Sequence, residues 1–247
     1  MTSGNYSNDF YDSIVAGSLR SARIYIEYLS KFWQPGSVVD VGCGRGTWLA
    51  AWAENGVRQL VGLDGAWNSP NQMIDKRICF IATDLEARIV LEEQFDLAMS
   101  LEVAEHLDPS TSSMFVASLA ALSDAILFSA AFVGQSGENH INTRPHSFWA
   151  EQFFQHGYTL FDMFRPKYWS DERIEPWYRQ NVFLYVRMAH PLYSLLTAAG
   201  HTPIDDSRFT DCIHPWLYGL ALGEIQRLRD AIERSDRDDA SSRAVAK

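Results

Sequence analysis

Four ionisable side chains in this sequence could carry out acid–base chemistry. Glu102, Glu105 and His106 follow an apolar run, and on a helix that begins near Glu102 they would lie at positions i, i+3 and i+4 of one face. His140 belongs to the polar loop Gly137–Pro145, which follows the next apolar run. Because the ordinary pKa of histidine is ~6.5, such a side chain can take a proton from a hydroxyl near neutral pH. We predict His140 as the primary base, His106 as the second candidate, and Glu102 as an orienting or binding group.

Two other interpretations of these four residues stay open. The glutamates could merely complement the dipole at a helix N-terminus while His106 forms a packing hydrogen bond. Alternatively, the E-x-x-E-H spacing offers carboxylates and an imidazole of the kind that hold a hard divalent cation. These residues could hold a divalent metal, but we do not expect one from the sequence.

A glycine-rich turn directly follows the predicted strand Val38–Val41. Its glycines have the spacing G-x-G-x-G: Gly42, Gly44 and Gly46. Dinucleotide-binding turns require G-x-G-x-x-G, and Thr47 stands where their third glycine would be. Asp40 would repel a pyrophosphate, but it could order the turn and attract a cationic amino-acid group. The turn therefore favours a ligand that carries such a cation and no phosphate.

The segment Val39–Gly46 resembles motif I of the class I S-adenosylmethionine (SAM) dependent methyltransferases. The resemblance implies an enzyme of this class with SAM as its cofactor. Asp64, at the end of the next predicted strand, would bind the ribose hydroxyls, and Asp84, after the following strand, would accept from the adenine amino group. The implied cofactor-binding residues are Asp40, Gly42, Cys43, Gly44, Gly46, Asp64, Gly65, Thr83, Asp84, Leu85 and Ser100.

The E-x-x-E-H segment has its own resemblance within this superfamily. Some ubiquinone-pathway and small-RNA O-methyltransferases carry a similar segment, and a distant histidine completes a divalent-metal site there. His140 is the candidate for that distant histidine in this sequence. Since the segment also occurs in relatives without a metal, the resemblance leaves base catalysis and metal binding both open.

Five further segments carry a second resemblance: Phe10–Ser13, Gly17–Ala22, His140–Asn142, Arg165–Trp169 and Trp177–Asn181. The run from Phe10 to Arg187 that contains them resembles a bacterial group of class I methyltransferases from polysaccharide and secondary-metabolite biosynthesis. This resemblance implies O-methylation of a hydroxyl on a sugar, nucleotide-sugar or glycan-related metabolite. The alternatives are N- or C-methylation of a small natural product, or a non-catalytic SAM-binding scaffold. Aromatic faces and cations could form a wall for such an acceptor. The candidate substrate-binding residues are Tyr11, Arg20, Glu105, Asn142, Arg165, Trp177, Tyr178 and Asn181.

Apolar β-type runs alternate with helical segments along most of the chain. The predicted strands are Val38–Val41, Gln59–Leu63, Ile78–Ala82, Phe95–Ser100, Ala125–Ala130, Tyr158–Phe164 and Val182–Arg187. This alternation is typical of an α/β, doubly wound (Rossmann-like) fold with a seven-stranded, mostly parallel sheet. No helix is predicted between the last two strands, so we expect the last strand to run antiparallel.

Flanking segments extend this domain on both sides. We divide the chain into a cap-helix region (residues 1–35), a SAM-binding domain (36–189) and a C-terminal extension (190–247). The predicted cap helix spans Ile14–Phe32 and is a candidate lid. The extension contains a predicted helix, Leu217–Ile232, as a possible surface for a protein partner, followed by a charged tail from Asp236 that we expect to be disordered.

Composition limits the partners and the compartment. The 247 residues carry a formal net charge of -10, which disfavours a long nucleic acid as partner. The three cysteines form no C-x-x-C pair, which indicates a reducing compartment. We identify no signal peptide and no apolar run of ~20 residues. We therefore expect a cytoplasmic protein with no membrane span and a small-molecule or sugar substrate.

Overall fold

The computed structural model describes the backbone of residues 8–245 and the side chains of residues 15–235. The helices are α1 (Asn8–Leu29), α2 (Thr47–Glu54), α3 (Ser112–Leu122), α4 (His146–Gln155), α5 (Arg165–Tyr168), α6 (Pro176–Asn181), α7 (Pro191–Ala198) and α8 (Pro215–Val245). The strands are β1 (Ser37–Val41), β2 (Gln59–Asp64), β3 (Cys79–Ala82), β4 (Leu97–Leu101), β5 (Ala125–Ser129), β6 (Tyr158–Phe161) and β7 (Phe183–Arg187).

The seven strands form one sheet in the order β3-β2-β1-β4-β5-β7-β6. Strand β7 pairs antiparallel with both β5 and β6, whereas the other pairings are parallel. The predicted doubly wound fold with an antiparallel last strand is confirmed. Strands β1 to β3 are added towards one edge of the sheet, and β4 then starts on the other side of β1, so the strand order reverses between β1 and β4. Ligands of such sheets bind beyond the carboxyl ends of the strands at this point.

Helices cover both faces of the sheet. All five residues of β1 are buried, because its side chains alternate between two apolar layers. Val38 belongs to the same buried apolar cluster as Tyr25 of α1 and Trp52 of α2, whereas Val39 belongs to the cluster of the opposite layer, which includes Phe115 of α3. This double burial holds the carboxyl end of β1, and the turn that follows it, in a fixed position.

The structure differs from the sequence prediction after β4. Glu102 has a left-handed backbone (φ 56°), and Ala104–His106 is a single 3-10 turn rather than the start of an α-helix. The α-helix begins only at Ser112. A left-handed residue interrupts helical hydrogen bonding, so the predicted i, i+3, i+4 alignment of Glu102, Glu105 and His106 is wrong.

Two further expectations need correction at the C-terminal side. Helices α5 and α6 separate β6 from β7, so the absence of an intervening helix was the wrong reason for a correct strand direction. Helix α8 begins at Pro215 and continues to Val245, whereas the sequence predicted an end at Ile232 and disorder from Asp236. Among the described helices, none combines the length and apolar character that crossing a membrane requires.

Candidate functional site

A cavity of about 1220 Å³ lies where the sheet order reverses, beyond the carboxyl ends of β1 and β4. Its described walls come from α1, the glycine turn (residues 42–46), the loops after β4 and β5, and the first turn of α6. Ligand pockets are commonly about 300–1,000 Å³. The cavity is therefore large enough for two ligands side by side.

The glycine turn needs glycine for two different reasons. Gly42 has φ 85°, and a Cβ at this position would collide with the side chain of Val103. Gly44 has φ 53°, and a Cβ there would point into open space with no atom within 4 Å. Both residues line the cavity. Backbone at Gly44 is thus left uncovered, so that a ligand can approach it closely.

Asp64 holds the glycine turn from β2. Its Oδ2 accepts a hydrogen bond from the Gly44 backbone N–H at 2.7 Å, and its Oδ1 accepts from the Gly65 N–H at 2.7 Å. Asp64 is only 5% exposed and is not part of the described cavity wall. In this structure the carboxylate orders the backbone, while a carboxylate's remaining lone pairs could still accept from a ribose hydroxyl.

Asp40 differs from Asp64 because it lines the cavity. Burial, and then the negative charge of Asp64, raise the pKa of Asp40 to about 8. Ionising such a carboxyl costs free energy unless a cation lies beside it. The cavity therefore has a wall that favours a positively charged ligand group.

Cys43 also lines the cavity, but several predicted cofactor residues do not. Asp84 is exposed, and its Oδ1 accepts from the Glu86 N–H at 3.0 Å to close a turn. Ser100 is fully buried within β4, and its hydroxyl has no hydrogen-bond partner among the described residues. The predicted cofactor residues outside the described cavity wall are Gly46, Asp64, Gly65, Thr83, Asp84, Leu85 and Ser100.

Trp67 is a cavity residue that the sequence analysis missed. Its indole is 71% exposed, and it lies against Gly65 so closely that a Cβ on that glycine would collide with it. Thus Trp67 covers the residue that follows the predicted ribose-binding Asp64. The only signal in the sequence was a tryptophan in a polar loop, which does not by itself indicate a ligand contact.

Glu102 is held by a network of amide side chains. Its backbone N–H donates to the Ser129 carbonyl at 3.1 Å, which fixes the left-handed residue against β5. The carboxylate accepts from Asn181 Nδ2 at 3.1 and 3.2 Å and from Gln135 Nε2 at 3.3 Å. Burial raises the pKa of Glu102, and these hydrogen bonds oppose the shift. Glu102 also lines the cavity.

The histidine cluster consists of Glu105, His106 and His140, whose ligand-type atoms all lie within 4.8 Å of one another. The loop after β5 brings His140 there, because the backbone N–H groups of Ile141 and Asn142 both donate to the Glu105 carbonyl, at 3.0 and 2.9 Å. The rings of His106 and His140 meet edge to face, with centroids 5.0 Å apart. All three residues of the cluster line the cavity.

The protonation of the histidine cluster can be read from its contacts. Nδ1 of His140 lies 3.0 Å from the Gln135 carbonyl, which only accepts, so neutral His140 carries its proton on Nδ1 and a free lone pair on Nε2. Desolvation and the neighbouring His140 lower the pKa of His106. Burial and the charge of Glu102 raise the pKa of Glu105 well above its ordinary value. Neither carboxylate oxygen of Glu105 has a hydrogen-bond partner among the described residues.

The predicted substrate residues fall into two groups. Four of them line the cavity: Arg20, Glu105, Trp177 and Tyr178. Three are used inside the protein. Asn142 donates to Ser112 and the Ala104 carbonyl, Asn181 holds Glu102, and Arg165 pairs with Asp162 at 2.7 Å. The side chain of Tyr11 lies outside the described residues.

One wall of the cavity is tied together by hydroxyl groups. Ser18 Oγ lies 2.9 Å from Thr47 Oγ1 and 3.1 Å from the Tyr178 hydroxyl, which joins α1, α2 and α6. Burial raises the pKa of Tyr178 to about 12, so this hydroxyl stays protonated. Ser18 belongs to the segment Gly17–Ala22 but was not among the predicted site residues.

Comparison with known proteins gives one family match. A family model described as a methyltransferase domain matches residues 18–167, a range that contains the glycine turn, Glu102 and the histidine cluster. No curated protein matches the chain.

Several solved structures share the fold. The magnesium protoporphyrin IX methyltransferase ChlM of Synechocystis PCC 6803, with bound SAM, aligns with a TM-score of 0.52 and 19% identity over 74% of this chain and 86% of its own. DesVI of Streptomyces venezuelae aligns with a TM-score of 0.55 and 13% identity, over 74% of this chain and 100% of its own. An O-methyltransferase family protein from Burkholderia thailandensis gives 0.51 and 16%, over 71% and 59%. At these identities the likeness shows the fold alone.

Proposed function

We propose that this chain, which belongs to the methyltransferase-domain family, transfers a methyl group from SAM to a hydroxyl of a sugar, a nucleotide-sugar or a related glycan metabolite. Family membership makes the protein a methyltransferase. The acceptor and the atom that is methylated are the part we propose. The observation that carries the proposal is that the glycine turn and the histidine cluster line the same cavity.

The residues at the glycine turn fit SAM. Gly44 exposes its backbone to the cavity, and Asp40 lines the same cavity with a pKa that burial and the charge of Asp64 raise. Gly42, Cys43 and Gly44 would hold the amino-acid part of the cofactor, and Asp40 would face its positive charge. When bound, SAM supplies an electrophilic methyl group on a cationic sulfur. The turn binds and orients that group.

His140 would act on the acceptor. A hydroxyl becomes a better nucleophile if its proton leaves as the new bond forms, and the Nε2 lone pair of His140 is available to take it. The proton then rests on Nε2, and the Gln135 carbonyl holds the ring in place through Nδ1. Glu102, fixed by Asn181, would orient the acceptor, and Trp177 offers an apolar face for the C–H side of a sugar ring.

Isotope labelling tests this proposal. The protein is incubated with SAM labelled in its methyl carbon, together with a panel of sugars and nucleotide-sugars or fractions of host extract, and the labelled product is identified by NMR and mass spectrometry. We expect a methyl ether on a sugar hydroxyl. A product methylated on nitrogen or carbon would rule out O-methylation and would identify the protein as an N- or C-methyltransferase. Tight SAM binding without transfer to any acceptor would favour a scaffold role.

A divalent metal is a second candidate, and the geometry of the histidine cluster favours it. Glu105 is buried, neither of its carboxylate oxygens has a hydrogen-bond partner in the described part of the chain, and ligand-type atoms of two imidazoles lie within 4.8 Å of it. Carboxylates are suitable ligands for Mg²⁺ and Mn²⁺, and imidazoles are suitable ligands for Zn²⁺. A divalent cation bound there would stabilise the negative charge of a deprotonated acceptor hydroxyl. His140 would then be a metal ligand instead of a base.

Chelation separates the two roles of His140. The protein is treated with EDTA, passed through a desalting column and assayed with and without added Mg²⁺, Mn²⁺ or Zn²⁺. Full activity after chelation would support His140 as the base. Loss of activity that one of these ions restores, but not in a Glu105→Gln variant, would assign the cluster to a metal.

A further inference from the structure

Helix α8 leaves the body of the protein with its apolar side chains uncovered. Leu217 and Ala221 are partly buried at its root, whereas Ile225, Leu228 and Ile232 are 44%, 53% and 62% exposed. These three residues lie on one stripe of a helix that runs from Pro215 to Val245. Apolar stripes of this length on a projecting helix mark an interaction surface.

The stripe has the spacing of a coiled-coil seam. Its residues alternate steps of three and four: Tyr218, Ala221, Ile225, Leu228 and Ile232. In heptad notation, Ile225 and Ile232 occupy position a, and Leu228 occupies position d. Isoleucine at a with leucine at d favours a parallel coiled coil of two helices, because each side chain then packs into a hole formed by residues of the facing helix. The seam is therefore suited to a second helix of the same kind.

Charges beside the seam are complementary to a second copy. Glu224 occupies position g and Arg229 occupies position e. In a parallel pair, a g residue faces the e residue five positions later on the other helix, so Glu224 would meet Arg229 of the partner subunit. An antiparallel pair matches g with g and e with e, so this contact between Glu224 and Arg229 would be lost. Within one chain Glu224 pairs with Arg227 at the exposed surface, an interaction that can be exchanged at little cost.

The composition of the helix argues against a membrane as the partner. Helices that lie on membranes carry a face rich in Lys and Arg. Residues 222–235 contain three acidic side chains and three arginines: Glu224, Asp230, Glu233, Arg227, Arg229 and Arg234. This neutral mixture lacks the required basic face, but it suits pairing between identical helices.

The apolar seam continues onto the body of the protein. At the root of α8, Tyr218 and Ala221 border a notch whose other side includes Val133 and Ile213, which are 52% and 40% exposed. A second helix on the seam would cover these residues as well. We propose that the protein forms a homodimer through a parallel two-stranded coiled coil of α8.

Sedimentation equilibrium of the full chain tests the seam. We expect a dimer for the wild type, and Ile225→Asp should weaken dimerisation by ~10²-fold because each copy would bury a charge in the seam. Leu220→Asp is the matched control, since Leu220 is 50% exposed but lies at position c, away from the seam. A wild type that stays monomeric at all concentrations, or equal effects of both variants, would overturn the proposal. Circular dichroism of Ile225→Asp checks that the fold is retained.

Charge reversal and a spin label test the parallel orientation. Glu224→Arg and Arg229→Glu should each weaken the dimer by about tenfold, and the double variant should restore it. Labels on Cys212, in a Cys43→Ala, Cys79→Ser background, should lie within ~25 Å of each other in a parallel pair, because helix axes are ~10 Å apart. An antiparallel pair centred on the seam would separate them by ~40 Å, at ~1.5 Å per residue. Distances near the larger value, or no response to charge reversal, would refute the parallel arrangement. Because SAM binding is measured separately, the outcome is independent of the proposed methyl transfer.

Discussion

The two ends of the cavity are built in different ways. At the cofactor end, consecutive residues 42–46 form the glycine turn, and one carboxylate, Asp64, holds it through backbone hydrogen bonds of 2.7 Å. At the acceptor end, the loops after β4 and β5 meet α6, and side-chain amides such as Asn181 hold them together. The first end depends on local backbone geometry, and the second depends on contacts between distant segments.

This difference indicates which property a substitution at each end of the cavity should change. A change at the cofactor end should alter SAM affinity, because the backbone itself forms the surface. A change at the acceptor end should alter turnover while SAM affinity is retained. Residues of the acceptor-side network that do not line the cavity should alter stability instead.

His140→Ala makes the largest predicted difference between the two ends. We expect turnover to fall by ~10²-fold or more, because the proposed general base is lost, while SAM affinity stays unchanged. Turnover is measured by transfer of labelled methyl to the acceptor identified above, and SAM affinity by calorimetry. His156→Ala is the control, since His156 is exposed beyond α4. Unchanged turnover in His140→Ala would remove this residue from the mechanism.

Arg165→Met tests whether the acceptor end extends to a buried cation. Arg165 is 5% exposed, and it donates to Asp162 at 2.7 Å and to the Thr210 carbonyl at 2.7 Å. We expect a loss of about 3 kcal/mol in the free energy of unfolding, because Asp162 would be left without its partner. KM for the acceptor should not change. Urea denaturation and steady-state kinetics measure the two effects.

Arg208→Met is the matched control for that experiment, because its pair with Asp206 is exposed to solvent. We expect no measurable shift of its urea midpoint. A raised KM in Arg165→Met, with stability intact, would mean that Arg165 binds the acceptor and that the division drawn between the two ends is wrong.

Asp40→Asn tests the charge preference of the cofactor end. Since the pKa of Asp40 is about 8, binding a cation should release a proton near neutral pH, and SAM affinity should rise between pH ~6.5 and ~8.5. Asp40→Asn should abolish this pH dependence and weaken binding by ~10-fold at the higher pH. Calorimetry in buffers of different ionisation enthalpy measures the proton release.

The stability of the ligand-free protein provides an internal control for Asp40. A carboxyl whose pKa is raised on folding stabilises the fold while it is protonated, so stability should decline as the pH rises from about 4 to about 8. Asp40→Asn should remove that part of the decline. A wild type whose SAM affinity does not vary with pH would show that Asp40 does not face the cationic group.

Asp84→Ala should give the smallest effect. Asp84 is exposed, and one of its oxygens is engaged by the Glu86 N–H. We expect SAM affinity to fall by less than about threefold, because a solvent-exposed hydrogen bond contributes little. Glu92→Ala serves as the control, since Glu92 is also exposed. A loss well above tenfold would show that the cofactor end extends to Asp84 when SAM binds.

Prediction from sequence succeeded where the signal was local. Apolar runs that alternate with helical segments predicted a doubly wound sheet, because a strand buried on both faces is apolar over most of its length. The glycine turn could also be predicted from the sequence, because the left-handed backbone at Gly42 and Gly44 is a conformation that glycine adopts without strain. The family match agrees with that interpretation.

Prediction was weaker where side chains from distant segments compete for the same partners. Asn181 and Arg165 have the polar character of ligand contacts, but the structure uses them to hold Glu102 and to pair with Asp162. Nothing in the sequence distinguishes a ligand-binding side chain from a structural one here, because hydrogen-bond partners depend on which segments of the chain meet in the fold. Trp67 was missed because a tryptophan in a polar loop does not by itself indicate a ligand contact.

The sequence by itself determined the fold class, the glycine turn and the two histidines that were candidates for chemistry. Only the tertiary structure decided that Glu105, His106 and His140 meet, because a left-handed Glu102 and the Glu105 carbonyl bring two separate loops together. Local patterns record the conformation of each segment. The meeting of segments depends on packing and backbone hydrogen bonds across the sheet, which no single segment contains.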